Sequence, residues 1–529
     1  MFLPKLSLKL NHIYTMKIIT HKFDYFNLTP LILLLWSLFS FVFLPIIPVA
    51  SGFGWDGVFY GKVALDFQNM IGNIDSYHAN RIFPGVLIHY TYSVLHIPLN
   101  LESVLLGYQI YNIIILVGSA IVWVLISKIL LLKPIAKWIG FCALFINYPM
   151  LNFHFYSPAL TDGTAFFIGI IMLYSYLIRN NILLLIITMI SFFCWPAAII
   201  VGFILFIYSN SENIVKYYKE GKTPIIIFLL LLSPFLAFIA FNFAGEIKHL
   251  IVIFGLDGKI IEKFEIPDSY TPVNLFQLLN AVFLVVYLIA MFWIVLKNFD
   301  LIKLISNTFS RRYLPKLIVS ILVLVLLIIL KGFIYSPNLA TLSPIGYFSM
   351  YFNGSNVQFP FKFIVCQVSY WGPILFLFIL FFKDIINKLQ KGDLAIMFVF
   401  LYAILFSINS DSRTIINFYP FIVVIILQTV DFNKIKNIKS FVLLFFVSSI
   451  LYSKVWMLIK LPSSVFPESI WSNLDQFPLQ WLFMSHGLLM NSQMYWIHLM
   501  VAALLFTTFW IIIKKPTNFR ITSKSNFSV

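Results

Sequence analysis

The chain has little charge. Asp, Glu, Lys and Arg make up only 11% of its 529 residues, against roughly 25% in an ordinary soluble protein. Hydrophobic residues reach 61%. A soluble fold of this length could not hide that much apolar surface in one core, whereas a bilayer accepts it as solvent. Cysteine is also scarce. Cys142, Cys194 and Cys366 are the three present, each in or beside an apolar stretch. No CxxC pair and no Cys/His ligand spacing occurs, which excludes a disulfide framework and a structural zinc. There is no repeat of fixed period, no low-complexity tract and no separate soluble domain.

What is present is a succession of apolar runs. They fall at 31–49, 106–127, 134–150, 163–178, 181–194, 196–208, 224–243, 275–296, 317–335, 364–382, 394–408, 414–429, 440–459 and 496–513. Several are shorter than the ~20 residues of a full crossing. The expected fold is an all-α polytopic transmembrane bundle of roughly 12–14 spans, some broken or short. Residues 1–27 are polar and basic, with Lys5, Lys9, Lys17 and Lys22. Leu31–Val49 is long for a signal-peptide core and suits an uncleaved anchor. Pro196 follows Cys194-Trp195 between two runs. Proline removes a donor and clashes with the preceding turn, so 181–208 reads as two half-helices or one kinked span.

The net charge of +16 points to topology and not to nucleic acid, because the lysines and arginines sit in short clusters between apolar runs. Examples are Lys128/Lys133/Lys137, Lys297/Lys303/Arg311/Arg312/Lys316 and Lys383/Lys388/Lys391. Alternating from a cytoplasmic N-terminus places most of them inside, as the positive-inside rule asks. That assignment needs 181–208 to cross twice. It also puts both termini inside: a tail 1–27, a membrane domain 28–513 and a tail 514–529. The longer loops, 50–105, 151–162, 244–274, 336–363 and 460–495, then lie outside with most of the acidic residues. An integral protein of a bacterial inner membrane is the expected setting.

The first outer loop reads SGFGWDGVFYGKVALDFQNMIGNIDSYHANRIFPGVL. If Trp55–Phe67 is helical, Asp56, Tyr60 and Val63 share a face. The helix 85–97 is too short to span and suits the interface, held by Tyr90 and Tyr92. A carboxylate at the boundary, in a partly apolar setting, gains proton affinity and can serve as a general base. Asp56 would deprotonate an acceptor hydroxyl that attacks a sugar carbon. A lipid-phosphate sugar donor would arrive through the bilayer, its phosphate met by Arg81, Arg413 or Lys362. The competing reading of Asp56 is a solvated loop acid that caps a helix. Asp66, Asp75 and His78 share the loop. His78 and His154 are potential metal ligands, but no cofactor is expected.

WDGVFYGKVALDF followed by RIFPGVL resembles the first lumenal loop of the C-type (GT-C) membrane glycosyltransferases. It is most similar to bacterial members and to the second mannosyltransferase of glycosylphosphatidylinositol assembly. The resemblance covers about thirty residues. It implies a polytopic helical fold, a polyprenyl-phosphate sugar donor, a lipid, glycan or protein acceptor, and Asp56 as the catalytic acid of the loop. The segment HFYSPALTDG, from His154 to Gly163, is similar to a second point where the superfamily carries an acid entering a span. By that likeness Asp162 would hold sugar, metal or acceptor, while helix capping is the plainer alternative.

Other candidates stay open at this level. Asn409-Ser410-Asp411-Ser412-Arg413 is a tight turn or a phosphate contact. Lys362 is a snorkelling anchor or a donor-phosphate ligand. Loop 460–495, with Trp471, Trp481 and His486, covers an acceptor groove or forms an aromatic belt. Two other functions compete with sugar transfer. One is a transporter or flippase of a lipid-linked glycan, for which Lys331, the most span-embedded charge, is the best sign. The other is a glycan polymerase or ligase of different ancestry.

Overall fold

The computed structural model describes residues 24–46, 49–54, 56–209, 275–300, 303, 306, 308–339, 359–457, 490 and 492–514. The apolar run 224–243, the loop 244–274 and the segment with Trp471, Trp481 and His486 lie outside these residues. Among the described residues the fold is all-α, apart from one isolated bridge pairing Ile74 with Tyr335. Among these residues four helices are long and apolar enough to cross a membrane: Tyr25–Phe43, Leu101–Ile129, Leu314–Gly332 and Ser492–Lys514. The other apolar helices run 10–17 residues. This is an integral membrane protein built as a helical bundle.

Prolines open many of these helices. Pro134 and Pro196 begin theirs, and Pro30, Pro84, Pro315 and Pro420 sit in the first turn. A missing N–H costs nothing there, because the first amides have no intrahelical partner. Leu101–Ile129 starts on a capping box, with the Asn100 side chain on Ser103 N and Ser103 Oγ on Asn100 N. Half of its span window is buried, so it runs through the bundle. Leu314–Gly332 has only 11% of its window buried. It leaves Ile321, Leu322 and Ile328 more than half exposed, a surface that lipid, unlike water, covers at no cost.

Asn181–Phe192 and Pro196–Ile207 are separate helices folded back on each other. Gly202 lies so close to Thr188 that a Cβ there would come within 2.0 Å of Oγ1. Trp195, extended at φ −156° and ψ 94°, makes the turn between them. At 12 residues each the two arms rise about 18 Å, well short of a ~30 Å hydrocarbon core.

The loops divide between the two ends of the bundle. At one end Lys137 Nζ meets Asp24 at 2.9 Å and Lys133 meets Asp431 at 3.6 Å. The Tyr208 and Thr308 hydroxyls lie 2.8 Å apart beyond the base of the short hairpin. At the other end lie the first loop, the 154–162 segment, the Trp195 tip and the turn around Arg413, as the contacts below establish. Among the described residues, Asp56, Asp75, Asp162 and Asp411 thus gather at the end away from Lys133 and Lys137. The first loop folds into helices Gly57–Leu65, Phe67–Met70 and Phe83–Val94, with a short turn at His78–Arg81. Tyr92 departs from the expected interfacial position. It is buried, because Gly107 has no side chain and lets the phenol close against its backbone. Tyr90 remains half exposed.

Candidate functional site

Asp56 takes the N-cap position of Gly57–Leu65 without capping it. Its carboxylate instead accepts a hydrogen bond from the Tyr77 hydroxyl at 3.1 Å. His78 Nε2 lies 3.9 Å from Oδ1 and Arg81 Nη1 lies 3.9 Å from Oδ2. Protein surrounds the group on most sides, yet 36% of its side-chain surface stays open. Asp56 is therefore enclosed by protein yet keeps one side open.

Two backbone clamps hold the loop in this shape. Phe83 N donates to Phe193 O at 3.0 Å, tying the start of Phe83–Val94 to the tip of the short hairpin. Gly72 N donates to Ile334 O and Ser336 N to Ile74 O, both at 2.8 Å. Lys331 Nζ donates to Ser76 Oγ at 2.9 Å. The charge that suggested a transport path thus lies in the last turn of its helix and fastens the first loop.

Arg81 is held by rings. Its guanidinium carbon lies 4.7 Å from the Tyr77 centroid and 4.6 Å from the Trp195 centroid, a cation–π sandwich. Its Nε is buried and has no hydrogen-bond partner. Tyr60, fully buried beneath, has its phenol pushed far up by burial. It is within the electrostatic reach of both Arg81 and Asp56.

Burial by itself would raise the Asp56 carboxyl, and burial is the largest single influence on it. The neighbouring His78, Arg81 and Arg413 together outweigh burial and hold the group down at about 2. This corrects the expected gain in proton affinity. The desolvation anticipated from the sequence is real, but the fold gathers enough positive charge around the carboxylate to reverse its effect.

Arg413 reaches the same end of the bundle from the turn after Leu394–Ser407. It forms a fork with Asp411, with Nε to Oδ1 and Nη2 to Oδ2 both at 3.1 Å. Asp162 Oδ1 lies 3.9 Å from the same Nε. Asp162 opens the helix Asp162–Leu177 and is 4% exposed. Trp371 Nε1 donates to Ser412 O at 3.1 Å and fixes the turn. Asp56, Tyr60, Arg81, Asp162 and Arg413 thus form one electrostatically connected group.

Three other sequence candidates fall elsewhere. Asp66 is exposed and caps Phe67–Met70 through Asn69 N. It stands at the far end of Gly57–Leu65, about 15 Å along the helix axis from Asp56, so it is no part of the cluster. His154 is buried, with Nε2 3.3 Å from Asn112 O. Burial outweighs that hydrogen bond and lowers the imidazole to about 4, leaving it neutral at physiological pH. Its ring fills the space above Gly163, where a Cβ would fall 1.6 Å from Cε1. With Asn112 Nδ2 donating to His154 O and Pro158 O, both at 2.9 Å, it serves as a strut beneath Asp162. Lys362 is wholly buried, 5.5 Å above the Phe359 ring. It begins the helix Lys362–Trp371, about 14 Å along the axis from the end that touches the Arg413 turn.

Sequence reasoning gave no site role to several residues that the fold brings in, and read His78 only as a potential metal ligand. Tyr77, Asp75 and His78 contact one another or Asp56 directly. Trp195 comes from 114 positions beyond Arg81. Asp411 was visible only as half of a charged turn. Lys454 is another buried cation, donating to Ser369 O at 3.2 Å and Oγ at 3.0 Å and lying 5.0 Å over the Tyr148 ring. Among the described residues no group of three or more His, Cys, Asp or Glu is placed to hold a metal ion.

Fold and site together define an all-helical integral membrane protein with a carboxylate–guanidinium cluster at one end of its bundle. No family model, no curated protein and no solved structure matches the chain.

Proposed function

We propose that the protein is a glycosyltransferase of a bacterial inner membrane, working on the outer face with a polyprenyl-phosphate sugar as donor. The observation that carries the reading is Asp56, with 36% of its side-chain surface open, beside the Arg81 guanidinium. A lipid-borne phosphate needs a cation in a place that lipid can reach, and a guanidinium presents a planar set of donors to it. An acceptor hydroxyl needs a carboxylate within hydrogen-bond reach. Here the two lie 3.9 Å apart.

The phosphate is a good leaving group and departs without a protonating acid, so the site needs a positive partner for it more than a proton donor. Arg81 supplies that partner, its plane fixed in advance by Tyr77 and Trp195. Asp56 accepts the hydroxyl proton as the acceptor oxygen attacks. Asp162, buried against Arg413 and the strut below it, supports the site from behind. The first-loop resemblance to GT-C enzymes supports the same reading. The outer-face assignment follows from the place of Lys133 and Lys137 at the opposite end.

Asp56→Asn tests the reading in purified protein reconstituted into liposomes with a labelled polyprenyl-phosphate mannose. Release of free polyprenyl phosphate should fall by about 10²-fold or more while insertion is unchanged. Protein that moves the intact donor across the bilayer without cleaving it would make a flippase the better reading.

A further inference from the structure

We infer that the bilayer is thinned where it meets the short hairpin and the helix Leu314–Gly332, so that the outer headgroup layer descends to the level of Arg81. The thinning follows from the lengths and edges of these elements. Its consequence, that a lipid-borne phosphate meets the guanidinium without leaving that layer, rests on the transfer reading above and deepens it.

The hairpin sets the depth of Arg81. Its arms, Asn181–Phe192 and Pro196–Ile207, rise about 18 Å each. Its tip holds Trp195, whose ring centroid lies 4.6 Å from the Arg81 guanidinium carbon, and Phe193 O accepts from Phe83 N. Its base is polar. Asn180 caps the first arm through Leu183 N beside the exposed Arg179, and Ser209 follows the second arm. Tilt can only shorten the height of the tip above the base. A hydrocarbon core of ~30 Å whose inner edge lies at that base would leave Arg81 about 10 Å below the outer edge.

The neighbouring helix has the same short height. Leu314–Gly332 packs on both arms, with Leu327 buried against Phe192 and Ile199. Lys316 Nζ donates to Ser209 Oγ at 2.6 Å at the hairpin base, and Lys331 Nζ donates to Ser76 Oγ at 2.9 Å in the first loop. The two lysines stand about 22 Å apart along the axis. Both ammonium groups are bonded to protein, so neither lengthens the apolar belt by snorkelling away from it. Between them Ile318, Leu322, Val325 and Ile329 are each about half exposed. Their spacing puts them on one face. Lipid tails cover that stripe, and the two lysines mark its edges.

Other elements are taller. Leu101–Ile129 has 29 residues and Ser492–Lys514 has 23, which is about 43 and 34 Å of helix. Ser492–Lys514 packs on Lys362–Trp371 and Ile438–Ser453. A bilayer of full thickness suits these helices and exceeds the belt beside the hairpin by about 8 Å. Lipid adapts to a short belt by thinning, at a modest cost per ångström. Dragging a charged phosphate out of the headgroup layer into hydrocarbon costs far more, because the charge loses its water. Thinning beside the hairpin therefore supplies Arg81 with phosphate at headgroup depth.

The test uses the full-length protein in phosphatidylcholine liposomes, with a nitroxide on Leu322→Cys, Val325→Cys, Ile329→Cys or Phe333→Cys. All four positions are exposed, so the labels leave packing intact. The native cysteines are buried, and unsubstituted protein gives their background. Accessibility to oxygen against a water-soluble nickel complex reads the depth of each label. Oxygen should dominate at Leu322→Cys and Val325→Cys, and nickel should dominate at Phe333→Cys. On the taller helix, Met500→Cys and Ile511→Cys should both stay oxygen-dominated. A Phe333→Cys label as oxygen-dominated as Val325→Cys overturns the thinning. Release of polyprenyl phosphate from labelled polyprenyl-phosphate mannose should fall about tenfold as the lipid chains lengthen from about 14 to 22 carbons. Release that ignores chain length overturns the link to Arg81. A narrow belt with no release at any chain length upholds the thinning and overturns the transfer reading. Release with a belt of full thickness overturns the thinning alone.

Discussion

Two arginines serve the same end of the bundle in opposite ways. Arg413 is satisfied by its own neighbourhood, forked onto Asp411 two residues away and close to Asp162. Among the described residues Arg81 has no carboxylate nearer than 3.9 Å, and it is oriented by Tyr77 and Trp195. A guanidinium forked onto a carboxylate stabilises the fold, whereas one that rings orient beside a partly open carboxylate is placed to meet a ligand. The difference separates the candidate phosphate contact from the structural ion pair, although both residues looked alike in the sequence.

Replacing each arginine by methionine should divide these roles. Arg81→Met should reduce release of polyprenyl phosphate by about 10²- to 10³-fold. Arg81→Lys should recover little of it, because an ammonium does not present the planar fork. Arg413→Met should act on stability, leaving Asp411 and Asp162, 6% and 4% exposed, without their cation. A loss of about 3 kcal/mol, read as an earlier thermal unfolding in detergent, is expected. Equal effects of the two substitutions on both readouts would erase the distinction.

Acid should sharpen it further. The folded Asp56 carboxyl is held at about 2, below its ordinary 3.8. Its contribution to stability is therefore complete above the ordinary value and is lost as pH falls through the folded one. Between about pH 4 and 2, wild type should lose thermal stability more steeply than Asp56→Asn, and above about pH 5 the two slopes should coincide. The smallest effect is expected at Asp66. Asp66→Ala removes the cap of one short exposed helix and should cost less than about 1 kcal/mol, with release unchanged.

Much of the candidate site was legible, though unevenly. Asp56 and Arg81 share one loop with a recognisable pattern, and Asp162 opens an apolar run after a proline, so each could be singled out locally. Asp66 stood as a substrate-binding candidate because it lies in the same loop as Asp56, but the helix between them carries the two acids apart. His154 looked like a ligand until its burial above Gly163 showed a strut. Trp195 could be read as a helix break, but nothing in the sequence said that the break would turn back at Arg81. The expected proton affinity of Asp56 failed for a related reason. Burial is foreseeable from a hydrophobic setting, while the charges that offset it come from distant parts of the chain.

The sequence by itself determined that the chain is helical and belongs in a membrane, because a low charge content and repeated apolar runs leave no aqueous alternative. It also determined which connectors would be basic and where prolines would start helices, since both depend on local chemistry. Only the tertiary structure decided that the short hairpin reaches Arg81, that Asp411 takes Arg413, and that Asp75 turns His78 toward Asp56. Those relations join residues from several helices, and their energies depend on distances that packing sets.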